Sequence, residues 1–325
     1  MLPLLVLMTA ASARPRDTWP GDWRPTDPKS IAKICRAYDR VEGELIIGPD
    51  YTAEDLRPLS CLVGVGRGLR IEGAPALRSL AGAEALRPPT GVPFVRLRVE
   101  GNPVLVEMDA LNAIPGLQIQ TLHVKNNPAL AQLRLGAELV SGGEVIITGN
   151  LALQRIEGPA GLATGAKLRA LEVSANPDLV ALAGFARVVS VDRLTVAGNA
   201  TLAALSLTPD LRSGNDLLLR GLPALRDFSL APALEQAERL GIADLDALDR
   251  MPAWPNLTRV GTLVISDNAA LQSIDGVWSN RSGPPVVDRL IIEDNGALRL
   301  EATEGLARRL RTRPDAARIE RNGGG

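Results

Sequence analysis

Leu97-Arg-Val99-Glu-Gly-Asn102-Pro-Val-Leu105 and Leu122-His-Val124-Lys-Asn-Asn127-Pro-Ala-Leu130 are two copies of one unit. The unit reads aliphatic, any residue, aliphatic, two residues, Asn, two residues, Leu. It returns at Leu171, Val173, Asn176 and Leu179, and at Leu194, Val196, Asn199 and Leu202. Two later copies run through Leu263, Ile265, Asn268 and Leu271, and through Leu290, Ile292, Asn295 and Leu298. Degenerate copies fill the gaps. The Asn slot then falls at Asp50, Ala74, Asn102, Asn127, Asn150, Asn176, Asn199, Leu222, Leu245, Asn268, Asn295 and Asn322, at intervals of 23 to 28 residues. So narrow a period sustained over the chain is the signature of a solenoid.

The interior can be read from the 23-residue units. After Asn176 the apolar residues are Leu179, Leu182, Phe185, Val188, Val191, Leu194 and Val196. After Leu222 the same offsets give Leu225, Phe228, Ala231, Leu234, Ala237, Leu240 and Ile242, and after Leu245 they give Leu248, Met251, Trp254, Leu257, Val260, Leu263 and Ile265. An inward residue at every third position suits neither a helix nor a long strand. It suits a coil that turns a corner every few residues, with short strands between corners. Stacked coils pair each strand with its equivalents above and below, at about 4.8 Å, into parallel sheets. The expected fold is an all-β parallel solenoid of about twelve coils, a rod on the order of 55 Å long. The Asn column (Asn102, Asn127, Asn150, Asn176, Asn199, Asn268, Asn295 and Asn322) reads as a structural ladder. An amide side chain supplies both donor and acceptor at a corner where the backbone cannot pair fully. Leu222 and Leu245 interrupt it.

Composition narrows the function. The formal net charge is -1, so no basic field awaits nucleic acid phosphates, and nucleic-acid binding is not expected. Residues 1–13 form a short apolar run ending Ala-Ser-Ala13, the pattern of a secretory signal peptide cleaved after Ala13. No later stretch is long and apolar enough for a transmembrane span. The two cysteines, Cys35 and Cys61, read as one disulfide in an exported chain, contributing about 3–4 kcal/mol by chain entropy. The expected location is secreted, periplasmic or at the cell surface.

Solenoids cap their ends. Residues 27–38 read as a capping helix with Asp27 as N-cap and Pro28 at the first helical position. Residues 301–310 have helical spacing and lead to a last strand near Ile319. The Pro- and charge-rich stretch 14–26 is expected to be a linker, 27–322 the solenoid, and 323–325 a disordered tail.

Cys35, Tyr38, Val41-Glu-Gly-Glu-Leu-Ile-Ile47, Leu56, Leu59 and Cys61, followed by the Leu-x-Ile/Val-x-x-Asn-Pro-x-Leu units, resemble a receptor L domain of the insulin and epidermal-growth-factor receptor type, including its bacterial secreted members. The resemblance covers about residues 35–322. It implies a right-handed β-helix related to leucine-rich repeats, and protein binding. The chain departs from that family in its coil number, about twice that expected. No cysteine-rich module, membrane span or kinase follows, so a receptor role does not carry over, whereas a binding surface does.

No catalytic constellation is expected. His123 is the single histidine, placed in an outward slot where solvation is the ordinary outcome, and neither a metal site nor a cofactor is called for. Glu72 stacked on Glu100, beside Arg70, Arg98 and His123, gives the one enzyme alternative, a carbohydrate-active β-helix protein using paired carboxylates. The outward column then turns apolar at Leu218, Gly241, Val264 and Ile291, either as strand-favouring residues or as a contact surface. Trp278 precedes an insertion at residues 279–285 that contains Arg281, and the two are interface-type residues. The expected function is non-catalytic recognition of a protein or glycan ligand. A structural or adhesive envelope role, with self-association through the apolar stripe, is the second alternative.

Overall fold

The computed structural model describes residues 16–88, 94–114, 116–136, 138–159, 166–278, 283–299 and 316–323. The signal-like residues 1–13, the helical stretch 301–310, Arg281 and the side chain of Trp278 lie outside them. The chain coils into a parallel β-solenoid. Its spine is a twelve-stranded sheet with one strand per coil, in chain order, from Glu44–Ile47 to Ala317–Glu320. A five-stranded parallel sheet, from Gln132–Arg134 to Asp227–Leu230, lines a second side. A three-stranded sheet of Asp17–Trp19, Tyr38–Val41 and Gly64–Val65 closes the N-terminal end.

Equivalent positions stack in register. Leu97 pairs with Leu122 and Val99 with Val124, and the same two columns run on through Leu217 and Leu219 to Leu290 and Ile292. Every residue read as inward in the three 23-residue units is buried, none more than 5% exposed. Because each coil contributes a few aliphatics facing those of its neighbours, the core is a continuous column rather than a ball. Trp254 is the largest fully buried side chain among the described residues and packs near Phe228, with ring centroids 6.2 Å apart. Its indole N–H donates to the carbonyl of Leu230 at 2.9 Å, which satisfies the one polar atom the ring carries inward.

The corners are built from two adjacent columns. The Asn side chains are fully buried from Asn102 to Asn199 and again at Asn268 and Asn295. Each accepts, on Oδ1, the backbone N–H of the equivalent residue one coil earlier, as Asn127 N–H to Asn150 at 3.0 Å and Asn150 N–H to Asn176 at 3.0 Å. Each donates from Nδ2 to a strand-end carbonyl, as Asn150 to Val124 at 3.0 Å. Where the ladder lapses, the N–H of Leu222 goes to the carbonyl of Asp244 at 3.0 Å instead. The residue preceding the slot is left-handed in coil after coil, at Gly101, Asn126, Gly149, Ala175, Gly198, Gly221, Asp244, Asp267 and Asp294, with φ between 52° and 70°. Gly, Asn and Asp tolerate that region best, which is why they dominate the column.

The N-terminal end corrects one expectation. Residues 14–26 are not a linker over their described part, because Asp17–Trp19 pairs in parallel with Tyr38–Val41. Trp23 is 5% exposed and lies against the first strand of the long sheet, with Trp23 N–H to Glu44 at 3.0 Å and Ile46 N–H to Trp23 at 2.8 Å. Asp22 Oδ1 accepts from the N–H of Glu44 at 2.8 Å. The segment thus occupies an edge that would otherwise offer free strand groups. The helix Pro28–Ile34 follows, capped by Asp27 through Lys29 and Ser30, and buries Ile31. Cys35, its C-cap, is bonded to Cys61. Gly323, expected in a disordered tail, donates its N–H to the carbonyl of Asn295 at 3.0 Å.

Candidate binding surface

The outer face of the long sheet carries three columns of outward side chains. The middle one runs Arg70, Arg98, His123, Ile146, Glu172, Thr195, Leu218, Gly241, Val264, Ile291 and Arg318. It is charged from Arg70 to His123 and apolar from Leu218 to Ile291.

In the charged part, Arg70 donates to Glu72 at 2.8 Å and reaches Glu44 at 3.5 Å, while Arg96 reaches Glu44 from the next coil at 3.5 Å. Glu72 and Glu100 are register partners, as read from the sequence. His123 corrects another expectation. It points outward yet is only 6% exposed, because its neighbours close over it. Its Nε2 lies 3.0 Å from Glu144 and its Nδ1 3.5 Å from Glu100, with Arg98 and Lys125 alongside. Burial pushes the His123 pKa below its ordinary value of 6.5, helped by the charges of Lys125 and Arg98 and opposed by the bond to Glu144. Glu72 is bound to Arg70 and Glu100 faces His123, so these carboxylates are engaged within a lattice of charges.

The pKa shift carries a pH dependence. A histidine whose folded pKa is depressed stabilises the fold fully above its unfolded value of 6.5 and loses that contribution as pH falls through the folded pKa. His123 is the one histidine, so it alone of the side chains has an ordinary pKa between the carboxylate and cysteine ranges. Urea unfolding is expected to show lower stability near pH 5.5 than near pH 7.5, with the difference reduced in His123→Gln. An unchanged difference in the variant would remove His123 as the cause.

The apolar part holds a depression of about 300 Å³. It spans three coils and is centred on Gly241, whose missing side chain leaves a gap between Leu218 above and Val264 below. A Cβ on Gly241 would lie 3.0 Å from Leu218 Cδ1, so even alanine would narrow the floor. Leu218, Val264 and Ile291 are half-buried and stand in one register column, as the sequence indicated. Asp216 and Arg239 form one rim, and Arg220, Asp244 and Asp267 the other, with Ser266 between. Arg220 Nε donates to Asp244 at 2.9 Å. The depression coincides with the coils where Leu222 and Leu245 replace asparagine. The sequence marked the apolar column but not the rim, because Asp244 and Asp267 come from the left-handed corner rather than from the strand.

A second, more open depression of about 430 Å³ lies at the N-terminal sheet between Thr18, Arg40, Glu42, Gly64, Arg67 and Arg87. Of the insertion at residues 279–285, only the part from Gly283 is described. Trp278 ends a 3-10 turn, Asp275–Trp278. Among the described residues no helix is long and apolar enough to cross a membrane, and no cluster of His, Cys, Asp and Glu is arranged to hold a metal ion. No family model matches this chain, and neither a curated protein nor a solved structure does.

Proposed function

We propose that this is an exported, non-catalytic recognition protein that engages a protein partner through the outer face of its twelve-stranded sheet. The observation that carries the reading is the depression over Gly241, an apolar floor within a charged rim. Concave sites of this kind, apolar with a few placed polar groups, are the usual form of a binding site. The floor is aliphatic, which favours an inserted side chain over a stacked sugar ring. The Cys35–Cys61 bond supports export, since such bonds persist in oxidising compartments. The receptor L domain resemblance agrees with a protein ligand.

The test is photo-crosslinking from an unnatural residue at Val264, compared with one at Ala183 on the five-stranded sheet, in the cells that make the protein. Discrete adducts from position 264 in the envelope or external fraction, and none from position 183, are expected. Equal labelling from both positions, or adducts confined to the cytosol, would sink the reading.

A further inference from the structure

The chemistry of the rim says more about what the depression accepts. The strands that form it, Ser213–Arg220, Gln236–Ala243 and Arg259–Ser266, are each paired on both sides. Their backbone groups are used in the sheet, so a ligand cannot add as a further strand and must be read through side chains. Four of the five rim charges sum to zero. Arg220 is bonded to Asp244, and Asp216 and Arg239 are register partners on adjacent strands. Asp267 remains. In the corner column its neighbours Asp244 and Asp294 each hold an arginine, Arg220 at 2.9 Å and Arg321 at close range. Among the described residues Asp267 has no such partner, and it is exposed.

Resting on the reading above, we propose that the occupant is a segment of a partner protein presenting an apolar side chain beside an arginine or lysine. The apolar group lies on Leu218, Gly241 and Val264, and the cation pairs with Asp267. An apolar body fills the gap that Gly241 leaves, and the cation supplies the charge that the corner column provides at Asp244 and Asp294 but not at Asp267. An anionic ligand would meet an uncompensated carboxylate at the same rim and is selected against.

Benzamidinium, a flat apolar ring joined to a delocalised cation, is the probe. Benzoate and benzyl alcohol share its ring with a negative or no charge. Backbone amide shifts of Gly241, Val264 and Asp267 in the full chain are followed as each is added. Saturable shifts with benzamidinium at Gly241 and Val264 are expected, with weaker binding of benzyl alcohol and weakest of benzoate. Asp267→Asn removes the charge while keeping a residue that tolerates the left-handed corner, φ 57°. It is expected to weaken benzamidinium by roughly two- to fivefold, the range an exposed ion pair supplies, without moving the thermal midpoint. Benzoate binding as well as benzamidinium, or Asp267→Asn binding unchanged, would overturn the assignment. Crosslinking from Val264 that persists after such a result would leave the binding face standing and discard only the cationic occupant.

Discussion

Asn150→Ala is expected to cost about 2–6 kcal/mol of stability, since it orphans one buried N–H and one buried carbonyl at roughly 1–3 kcal/mol each. Asn150 is fully buried in the middle of the ladder. Its Oδ1 accepts from the backbone N–H of Asn127 at 3.0 Å and from Asn127 Nδ2 at 3.2 Å. Its Nδ2 donates to Val124 at 3.0 Å and to Thr148 at 3.3 Å. Alanine provides none of these, and a small void between coils has few other partners to offer. Asn150→Asp is the sharper variant. It matches the shape and keeps the acceptor, but sets a carboxylate against the carbonyls of Val124 and Thr148. If the residue merely filled space, the aspartate would be nearly silent; a loss at least as large as that of alanine is expected, because a buried unpaired charge costs more than a missing bond. Urea unfolding of both variants measures this. Two midpoints within error of the parent would end the ladder as a source of stability.

The natural lapse at Leu222 and Leu245 shows what relief costs. There the N–H of Leu222 reaches the carbonyl of Asp244, the left-handed corner residue, rather than a side chain. The coil closes, but the donor of the amide is gone and an apolar residue sits in its place. These two coils also frame the depression, so the irregular corner and the depression fall on the same stretch of the rod.

Much of this was legible because a solenoid repeats its environment. One period placed Leu182, Phe185, Met251 and Trp254 inward without knowledge of the corners, since every coil meets copies of itself. The left-handed column was harder to see. Gly101, Gly149, Gly198 and Gly221 announce it, but Ala175 and Arg321 adopt the same conformation and hide the rule. His123 shows a different limit. Its column says that it points outward, but its burial depends on Glu144, which belongs to a neighbouring column and comes opposite Thr121 only after a register shift. Residues 14–26 misled through composition. Proline and charge suggested a linker, while the informative residues were Trp19 and Trp23, whose rings sit 6.3 Å apart beside Tyr38 on the terminal coil. In the depression, the signal was a glycine at a strand centre facing outward, a place where glycine weakens a strand unless something approaches closely.

Reducing Cys35–Cys61 is expected to release the N-terminal cap while leaving the rod folded. The bond spans 26 residues, joining the end of the helix Pro28–Ile34 to the turn after Arg57–Leu59. Closing that interval contributes about 3–4 kcal/mol. A helix of seven residues does not hold by itself. What anchors it besides the disulfide is mainly the buried Ile31, while Trp19 and Trp23 of the preceding segment pack into the core. Coils in a solenoid contact only their neighbours, so the loss need not spread. Hydrogen exchange of the reduced protein, or of Cys35→Ser/Cys61→Ser, should therefore show faster exchange from Ile31 to Ile47 with protection retained from Leu217 to Ile265. In urea, an early fluorescence change from Trp19 and Trp23 should precede the main transition that reports Trp254. A single shifted transition in which every segment loses protection together would mean that the cap and rod are one cooperative unit. The release has a further consequence, because Trp23 and Asp22 bond the outer edge of Glu44–Ile47. Without them that strand offers free donors and acceptors to any other chain, so the reduced protein is expected to self-associate at concentrations where the oxidised one stays dispersed.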